Sequence, residues 1–588
     1  MKLFLVFDNE KNKINELCIE ASDQVISNGK IDVKGSNYDI NDCEINYLDY
    51  YQKWSLAFKK LYDDNRFSKD NQDLLIAAAP NIYLHNFRYL ILWVEAVKDH
   101  LENKKYDEIV ISDLVRSNYF PYYEAEGEVN SGIFYKKYDF IPYRLFEYIK
   151  ENYPEISINI VRRKSRISLA YRIFNRRYTL LLVKFFLHLK NILLSSKPMT
   201  VDTSNLKFLF VSRGLAHTNY IKKFFTLNDQ AFVHGSDGLF SNGENTLYLK
   251  KIKKNRVITL YEYLGVLDLI NSFLRLVIRM SRTKLKKIKV NGVTLCLNSL
   301  FKEVIISQLE VDLHTRSVFN FSQRINSPYK LLTCEMVSSY PLFTKLSMKS
   351  DINCLATYQL QTTSLDLFEC PNFVHTDTFL FKSKNDLQFF EKIFEKSKLD
   401  FIGNLSYHKG NGKKVRKELK NIIYFTQPYE LSVQIRIVKY LYALSSKLNI
   451  NLHVKPHPRE DLEGLKHELS AMNISYLPKE ADIDEIGKLA DLVIIRTSSL
   501  TQDLFLNFIP TINILLSDFD RNIKVEYLTK GQLNIVENLH DLDGFLTSYD
   551  VFCTEFRSFC SLYLSEVGIT KDRNDFLNEI TLNTRDVS

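Results

Sequence analysis

Residues 451–459 read NLHVKPHPR, and residues 491–499 read DLVIIRTSS. Each is a short apolar run that stops abruptly at polar residues. That is the pattern of a strand buried on both faces of a parallel sheet, with its loop at the carboxyl edge. Asn421–Thr426 (NIIYFT) and Thr511–Leu515 (TINIL) repeat it. Leu431–Leu448 (LSVQIRIVKYLYALSSKL) has the spacing of an amphipathic helix, and Leu500–Asn507 begins another. Strands alternating with helices give a parallel α/β sheet, and such sheets hold ligands at the carboxyl ends of their strands.

The chemistry follows from those strand ends. In Lys455-Pro456-His457-Pro458-Arg459 two prolines fix the backbone on either side of a histidine, and two cations flank it. A rigid, cationic, histidine-bearing loop suits a phosphate or diphosphate. His457 can hydrogen-bond a phosphate oxygen or protonate a leaving phosphate. Arg496-Thr497-Ser498-Ser499 precedes a helix, so Ser498 or Ser499 serves as its N-cap and the helix's free N–H groups face the same crevice. The bland readings are a rigid turn and a plain cap.

Together, the KPHP loop followed by strand–TSS–helix resembles the donor domain of bacterial glycosyltransferases of the two-Rossmann GT-B architecture. The likeness is nearest to the group of sialyltransferases, polysialyltransferases and capsule Kdo transferases, over residues 330–515. There an HP motif and a Ser-Ser motif hold the cytidine monophosphate of a CMP-sugar. The resemblance therefore implies that His457, Pro458, Ser498 and Ser499 bind the donor nucleotide. By position we add Gln427, in the turn FTQP, with Lys455, Arg459 and Thr497. Teichoic acid polyol-phosphate transferases share the pattern but carry an acidic residue and Tyr before the Ser pair, where Arg496-Thr497 stand here. The group carries an acidic pair before glycine whose carboxylate deprotonates the acceptor hydroxyl. The nearest match is Ser236-Asp237-Gly238, which makes Asp237 a candidate base. Glu335, after the strand KLLTC, is a rival, and His457 is a further catalytic candidate. Gln359 and Gln361 follow the next strand, in a position for substrate contacts.

Working outward, Leu3–Phe7, Glu108–Ser112 and Ile156–Val161 read as strands, with Asn81–His100 as a helix. Leu206–Ser212, Ala231–His234, Arg256–Leu260, Lys330–Cys334, Asn353–Tyr358 and residues 399–404 continue the rhythm. The fold class is α/β of GT-B type, with two Rossmann-like domains and an additional N-terminal α/β region. We place that region at 1–200, ending in a basic amphipathic helix. An acceptor-side domain covers 201–400 and a donor domain 401–588, with a hinge in the polar stretch after Gly403-Asn404.

The net charge of +8 is unevenly spread. Residues 160–199 hold ten Lys/Arg and no acid, residues 250–256 five, and residues 275–289 seven, so the remainder is net acidic. The apolar run Leu180–Leu194 is interrupted by Lys184, His188 and Lys190, too polar to span a bilayer. With Leu269–Lys289 it suits an interfacial surface on anionic lipid, against an ordinary core helix with a solvated basic face. No nucleic-acid motif accompanies the charge. Eight Cys without a CxxC exclude a zinc module or disulfide scaffold, and the apolar Met1–Phe7 is too short for an export signal. Three DxD triplets, ending at Asp484, Asp520 and Asp543, are expected by chance in a chain with 70 acids. We therefore expect a cytoplasmic enzyme, peripheral on the inner membrane face, needing no metal or cofactor. It would transfer a sialic-acid- or Kdo-like sugar, with inversion, from a CMP-sugar to a surface glycan. The alternatives are a polyol-phosphate or other nucleotide-sugar transferase, and a non-catalytic membrane-associated scaffold.

Overall fold

The structure, a computed structural model, describes residues 1–7, 17–27, 33–40, 43, 47–60, 73–76, 78–79, 87–112, 140–161, 177–195, 202–213, 225, 230–237, 239, 244–282, 287–334, 340–361, 376–391, 396–407, 418–427, 430–457, 462–498, 500–517, 520 and 534–582.

Three parallel sheets follow one another along the chain. The first contains β1 (Lys2–Val6), β2 (Gln24–Ser27), β3 (Ser36–Asp39), β4 (Glu108–Ser112) and β5 (Ser157–Val161), in the order β3-β2-β1-β4-β5. Every neighbouring pair is parallel. β1 is central and its last four residues are buried, as a strand covered on both faces must be. Trp93 and Val97 of α1 (Arg88–Asn103) pack into this core.

Helix α2 (Arg177–Leu194) leads to the second unit. Here β6 (Phe208–Arg213) and β7 (Ala231–Ser236) are followed by α3 (Glu244–Lys253), β8 (Val257–Thr259) and α4 (Val266–Arg282). A hairpin of β9 (Lys287–Val290) and β10 (Val293–Cys296) comes next. Its turn is Asn291-Gly292, both at positive φ, as a tight two-residue turn requires. Then come α5 (Leu297–Ser322), β11 (Tyr329–Thr333), α6 (Tyr340–Met348), β12 (Cys354–Leu360), β13 (Thr378–Phe381) and β14 (Leu399–Phe401). The sheet order is β14-β13-β12-β11-β6-β7-β8.

The third unit has β15 (Asn421–Phe425), α7 (Leu431–Leu448), β16 (Asn451–Lys455), β17 (Ser475–Tyr476), β18 (Leu492–Ile495), α8 (Leu500–Leu506), β19 (Thr511–Ile514) and β20 (Ile535–Val536). Its order is β17-β16-β15-β18-β19-β20, all parallel. Counted from its own first strand this is 3-2-1-4-5-6, the doubly wound order, and the second sheet is the same with one strand added. Side chains alternate as the pleat demands. Ile422, Tyr424 and Ile494 face Ile437 and Leu441 of α7, while Ile423, Phe425 and Ile495 face Ile483, Ile486 and Leu504. The fold class is the expected one, α/β with two successive Rossmann-like sheets and an α/β unit before them.

Packing crosses the divisions drawn from the sequence. The first half of α5 (Leu297, Phe301, Leu309) lies in the core of the first sheet, while Val318 and Phe321 lie under the second. A helix of 26 residues spans about 39 Å, so one helix can serve both cores. At the other end, α9 (Arg573–Leu582) returns to the second sheet and buries Phe576 and Ile580 there. Gly403 accommodates that return. Its φ is +103°, and a Cβ would sit 2.7 Å from Cβ of Lys571. Of the hinge stretch SYHKGNGKK, residues 408–414 lie outside the described residues.

Candidate functional site

In the third sheet the connections leave β15 and β18 in opposite directions, so the gap between those strands is the switch point where a crevice opens. Three strand ends meet around it. Thr426 N–H donates to Lys455 O at 3.1 Å, and His457 N–H donates to Thr426 Oγ1 at 2.9 Å. The loop after β16 is thus clipped to the loop after β15. Across the gap Gln427 Nε2 donates to Thr497 O. Gln427 is itself braced by Gln434, whose Nε2 donates to Gln427 O at 2.7 Å and whose Oε1 accepts from Tyr424 OH. The structure therefore brings Gln427, His457, Thr497 and Ser498 to one edge of one sheet.

Two atoms there are incomplete. Gln427 Oε1 and Thr497 Oγ1 are buried and have no hydrogen-bond partner among the described residues. A buried polar atom without a partner costs about 1–3 kcal/mol, so such atoms are rare and need a reason. His457 is half-buried. Ser498 Oγ accepts from Leu500 N at 3.3 Å just ahead of α8, which is only seven residues long. Pro458, Arg459 and Ser499 lie outside the described residues.

Lys455 does not reach into the crevice in the way its position suggested. Its ammonium is buried, lies 5.5 Å over the Phe425 ring and donates to Lys479 O at 3.1 Å. Burial pulls its pKa down to about 8. Alternation along β16 explains this: with Leu452 and Val454 on one face, Lys455 takes the other.

Arg496, noted in the sequence only for what it replaces, is the electrostatic centre of the switch point. It is fully buried at the end of β18. Its Nε contacts both oxygens of Asp520 at 2.9 and 3.1 Å, and its Nη2 reaches Glu430 and Ser517 Oγ. Glu430 sits at φ +52°, a conformation that disfavours most side chains. Arg496 holds it there, at the start of α7. Asp520, the end of one DxD triplet, is therefore an ion-pair partner. Asp482, which opens another triplet, caps the helix Ile483–Leu489. Among the described residues, no three His, Cys, Asp or Glu side chains come together in a way that would hold a metal ion.

A second polar cluster lies at the strand ends of the middle sheet. Asp237 follows β7, but its carboxylate accepts from Asn245 N at 2.8 Å, from Thr246 N at 3.1 Å and from Thr246 Oγ1. It caps α3. Glu335 lies outside the described residues. Gln361 is a cross-link, donating to Asp386 at 2.6 Å and accepting from Lys382 N at 3.0 Å, and Gln359 is buried.

Residues the sequence reading passed over fill this cluster. Arg213, the last residue of β6, stacks 3.2 Å over the Tyr340 ring. His314 of α5 stands edge-on to Tyr340 at 5.1 Å and to His234 at 5.0 Å. The Ser317 hydroxyl donates to Leu260 O at 2.6 Å, so it accepts from His234 Nε2 at 2.9 Å, which fixes that tautomer. His314 is buried, and neither ring nitrogen has a hydrogen-bond partner among the described residues. Burial, with the nearby His234 and Arg213, pushes its pKa far down, so the imidazole is neutral. Glu310, one turn earlier, accepts from Leu239 N at 3.0 Å and sits 3.7 Å from Lys184. Burial alone would raise its pKa, but Lys184, with Arg213 and the Leu239 N–H, holds it down as a carboxylate. The signal available in the sequence was Glu310 and His314 at i, i+4 within an apolar helix.

No family model matches the chain, and no curated protein does. The structure is similar to UDP-GlcNAc 2-epimerase from Neisseria meningitidis bound to UDP-GlcNAc, at 7% identity and TM-score 0.38, covering 64% of this chain and 99% of that one. It is also similar to the wall teichoic acid polymerase TagF, at 11% identity and TM-score 0.36, covering 69% and 97%. A third likeness is to TarM, at 10% identity and TM-score 0.35, covering 66% and 100%. Identities this low leave the chemistry to be read from this chain's own residues.

Proposed function

We propose that the chain is a glycosyltransferase that binds a nucleotide-activated sugar at the switch point of its third sheet. The observation that carries this reading is the pair of buried acceptors Gln427 Oε1 and Thr497 Oγ1 beside His457, both without a partner among the described residues. A nucleotide supplies donors for both, and His457 meets its phosphate. The KPHP and TSS motifs favour a CMP-activated acid sugar as donor and a surface glycan as acceptor. In the reaction the acceptor oxygen attacks the anomeric carbon, the bond from that carbon to the phosphate oxygen breaks, and CMP leaves. His457 stabilises the departing phosphate.

The acceptor hydroxyl must lose a proton. Asp237 has committed its lone pairs to the α3 cap, which argues against it as base. Glu335 remains a proposed base from its sequence position. Buried His314 stays neutral and is too weak a base to take that proton, but it can accept a hydrogen bond, and Arg213 beside it supplies charge for an anionic acceptor. No metal enters this scheme.

The test is a thermal-shift screen of CMP, CDP, UDP and GDP against the purified chain. A nucleotide at 100 times its dissociation constant stabilises by about 2.7 kcal/mol. CMP should give the largest shift. A larger shift with CDP or UDP would replace the donor with a polyol-phosphate or another sugar nucleotide. No shift with any nucleotide would overturn the enzyme reading and leave the scaffold alternative.

A further inference from the structure

In the sequence Lys184 and His188 interrupt the apolar run of α2, which reads as an interfacial helix or as a core helix with a solvated basic face. The structure turns them the other way. Lys184 and His188 are buried, the first toward Glu310 and the second within 3.1 Å of Tyr261 OH. Buried charge and buried imidazole need partners, and α5 and the 260–263 turn provide them. The apolar residues of α2 are thereby left to face outward. Leu182, Phe186, Leu193 and Leu194 are exposed, Phe186 to 62%.

Helix α4 packs beside α2, with Phe185 and Phe273 rings 4.7 Å apart. Leu269, Leu276 and Met280 of α4 are buried, while Leu267, Leu274 and Ile278 are exposed, Leu267 to 74%. Two adjacent helices thus carry seven of the sixteen large exposed hydrophobics among the described residues. Soluble surfaces scatter such residues singly, and a concentration of them marks a docking face.

Charge selects the occupant. Lys190, Arg275 and Arg282 are exposed on these helices, with Arg275 bonded to Asp312 of α5. α2 carries no acid, and the one acid of α4, Asp268, is engaged by Gly265 N and Arg316. A two-fold pairing of this face with itself would set cations against cations. An anionic bilayer instead takes the leucines and Phe186 into its interface and the basic side chains at its headgroups. Among the described residues no helix is long and apolar enough to cross a membrane. We propose that α2 and α4 form a monotopic docking face for anionic lipid. This stands independently of the donor site.

The test uses the full chain and two vesicle preparations, phosphatidylcholine alone and phosphatidylcholine with one-third phosphatidylglycerol. The protein should sediment with the second and stay in solution with the first, and binding should fall roughly tenfold as salt rises from low to molar levels. Phe186→Asp combined with Leu194→Asp should cut binding at least about tenfold at an unchanged melting temperature, because both side chains are exposed. Lys190→Glu with Arg282→Glu should weaken binding to the anionic vesicles. The proposal is overturned if the wild type stays in the supernatant with anionic vesicles at low salt, or if the apolar pair of substitutions leaves binding intact. It also falls if light scattering shows a dimer that those substitutions convert to monomer, since the face would then be a self-interface.

Discussion

The side-chain amide of Gln427 donates to the backbone carbonyl of Thr497, so the loop after the first strand of the third sheet is tied to the loop after its fourth. This bond spans the gap where a doubly wound sheet opens. It fixes one end of the Gln427 amide and aims the other, Oε1, at nothing within the described protein. Thr497 is in the same state, with its carbonyl used and its hydroxyl without a partner among the described residues. Two half-satisfied residues meeting across a switch point support the proposed donor site.

Thr497→Val separates a binding role from a structural one. The hydroxyl has no partner among the described residues, so a methyl in its place should leave the melting temperature unchanged or slightly raised. If the hydroxyl accepts a nucleotide hydrogen bond, affinity falls by about 1–2 kcal/mol, roughly 5- to 30-fold in dissociation constant. Calorimetric titration of both proteins with the nucleotide from the screen reads this directly. Equal affinities would remove Thr497 from the site.

His457→Ala should leave the fold intact, because the substitution keeps the backbone N–H bond to Thr426 Oγ1 that clips the loop. Loss of a group that meets the leaving phosphate lowers turnover by roughly 10²–10⁴-fold. Lys455→Ala should behave differently. Its ammonium holds Lys479 O inside the protein, so the substitution should lower stability more than donor affinity. Transfer from a radiolabelled donor and a thermal melt of each variant distinguish the two. Unchanged turnover in His457→Ala would remove the role.

The strands of the third sheet were legible because they are continuous apolar runs. The sequence reading of 421–426, 451–454 and 491–495 lies within one residue of β15, β16 and β18 at each end. Edge strands were not. β3 (SNYD) and β17 (SY) are short and polar or half-exposed, and they form because a neighbouring strand offers its free edge. At the site, strand-end motifs could be read because Pro and Ser-Ser punctuate the chain. Side-chain direction could not. Lys184, Lys455 and Arg496 each look like a surface cation, and each is turned inward by a partner far away in sequence: Glu310, Lys479 O and Asp520. Asp237 looked like a base and caps a helix. Periodicity locates an element, but tertiary contacts decide which face of it is inside.

Lys184 and Glu310 form a buried pair across α2 and α5 at 3.7 Å. Removing one partner strands the other charge. Lys184→Met and Glu310→Gln should each destabilise strongly, on the order of 3–5 kcal/mol for Lys184→Met. The double variant should cost clearly less than the two added together, because neither leaves an unpaired ion. Urea midpoints of the four proteins close the cycle. Strict additivity would mean that the two side chains do not act as a pair.

The same buried layer makes the protein acid-sensitive well above the carboxylate range. Burial lowers the pKa of His188 to about 4 and of His234 to about 3, and His314 lies far below its ordinary value. His188 faces Lys184, Glu310 and Tyr261, while His234 and His314 face each other, Ser317, Tyr340 and Arg213. Glu310 alone among these favours a protonated His188, and burial outweighs it. In the unfolded chain all three histidines titrate near 6.5. Below that pH the unfolded state takes up protons that the folded state refuses, so stability is full above about 6.5 and declines as pH falls toward 4. The slope is about 1.4 kcal/mol per pH unit for each such histidine, so two of them remove on the order of 3 kcal/mol between pH 6 and 5. Urea midpoints measured at pH 7, 6 and 5 should fall in that order. His188→Gln keeps a polar side chain facing Tyr261 but cannot titrate, so it should flatten the profile by about one proton. A wild-type profile level from pH 7 to 5 would mean that these imidazoles are accessible to protons in the native state, and the buried polar layer would have to be abandoned.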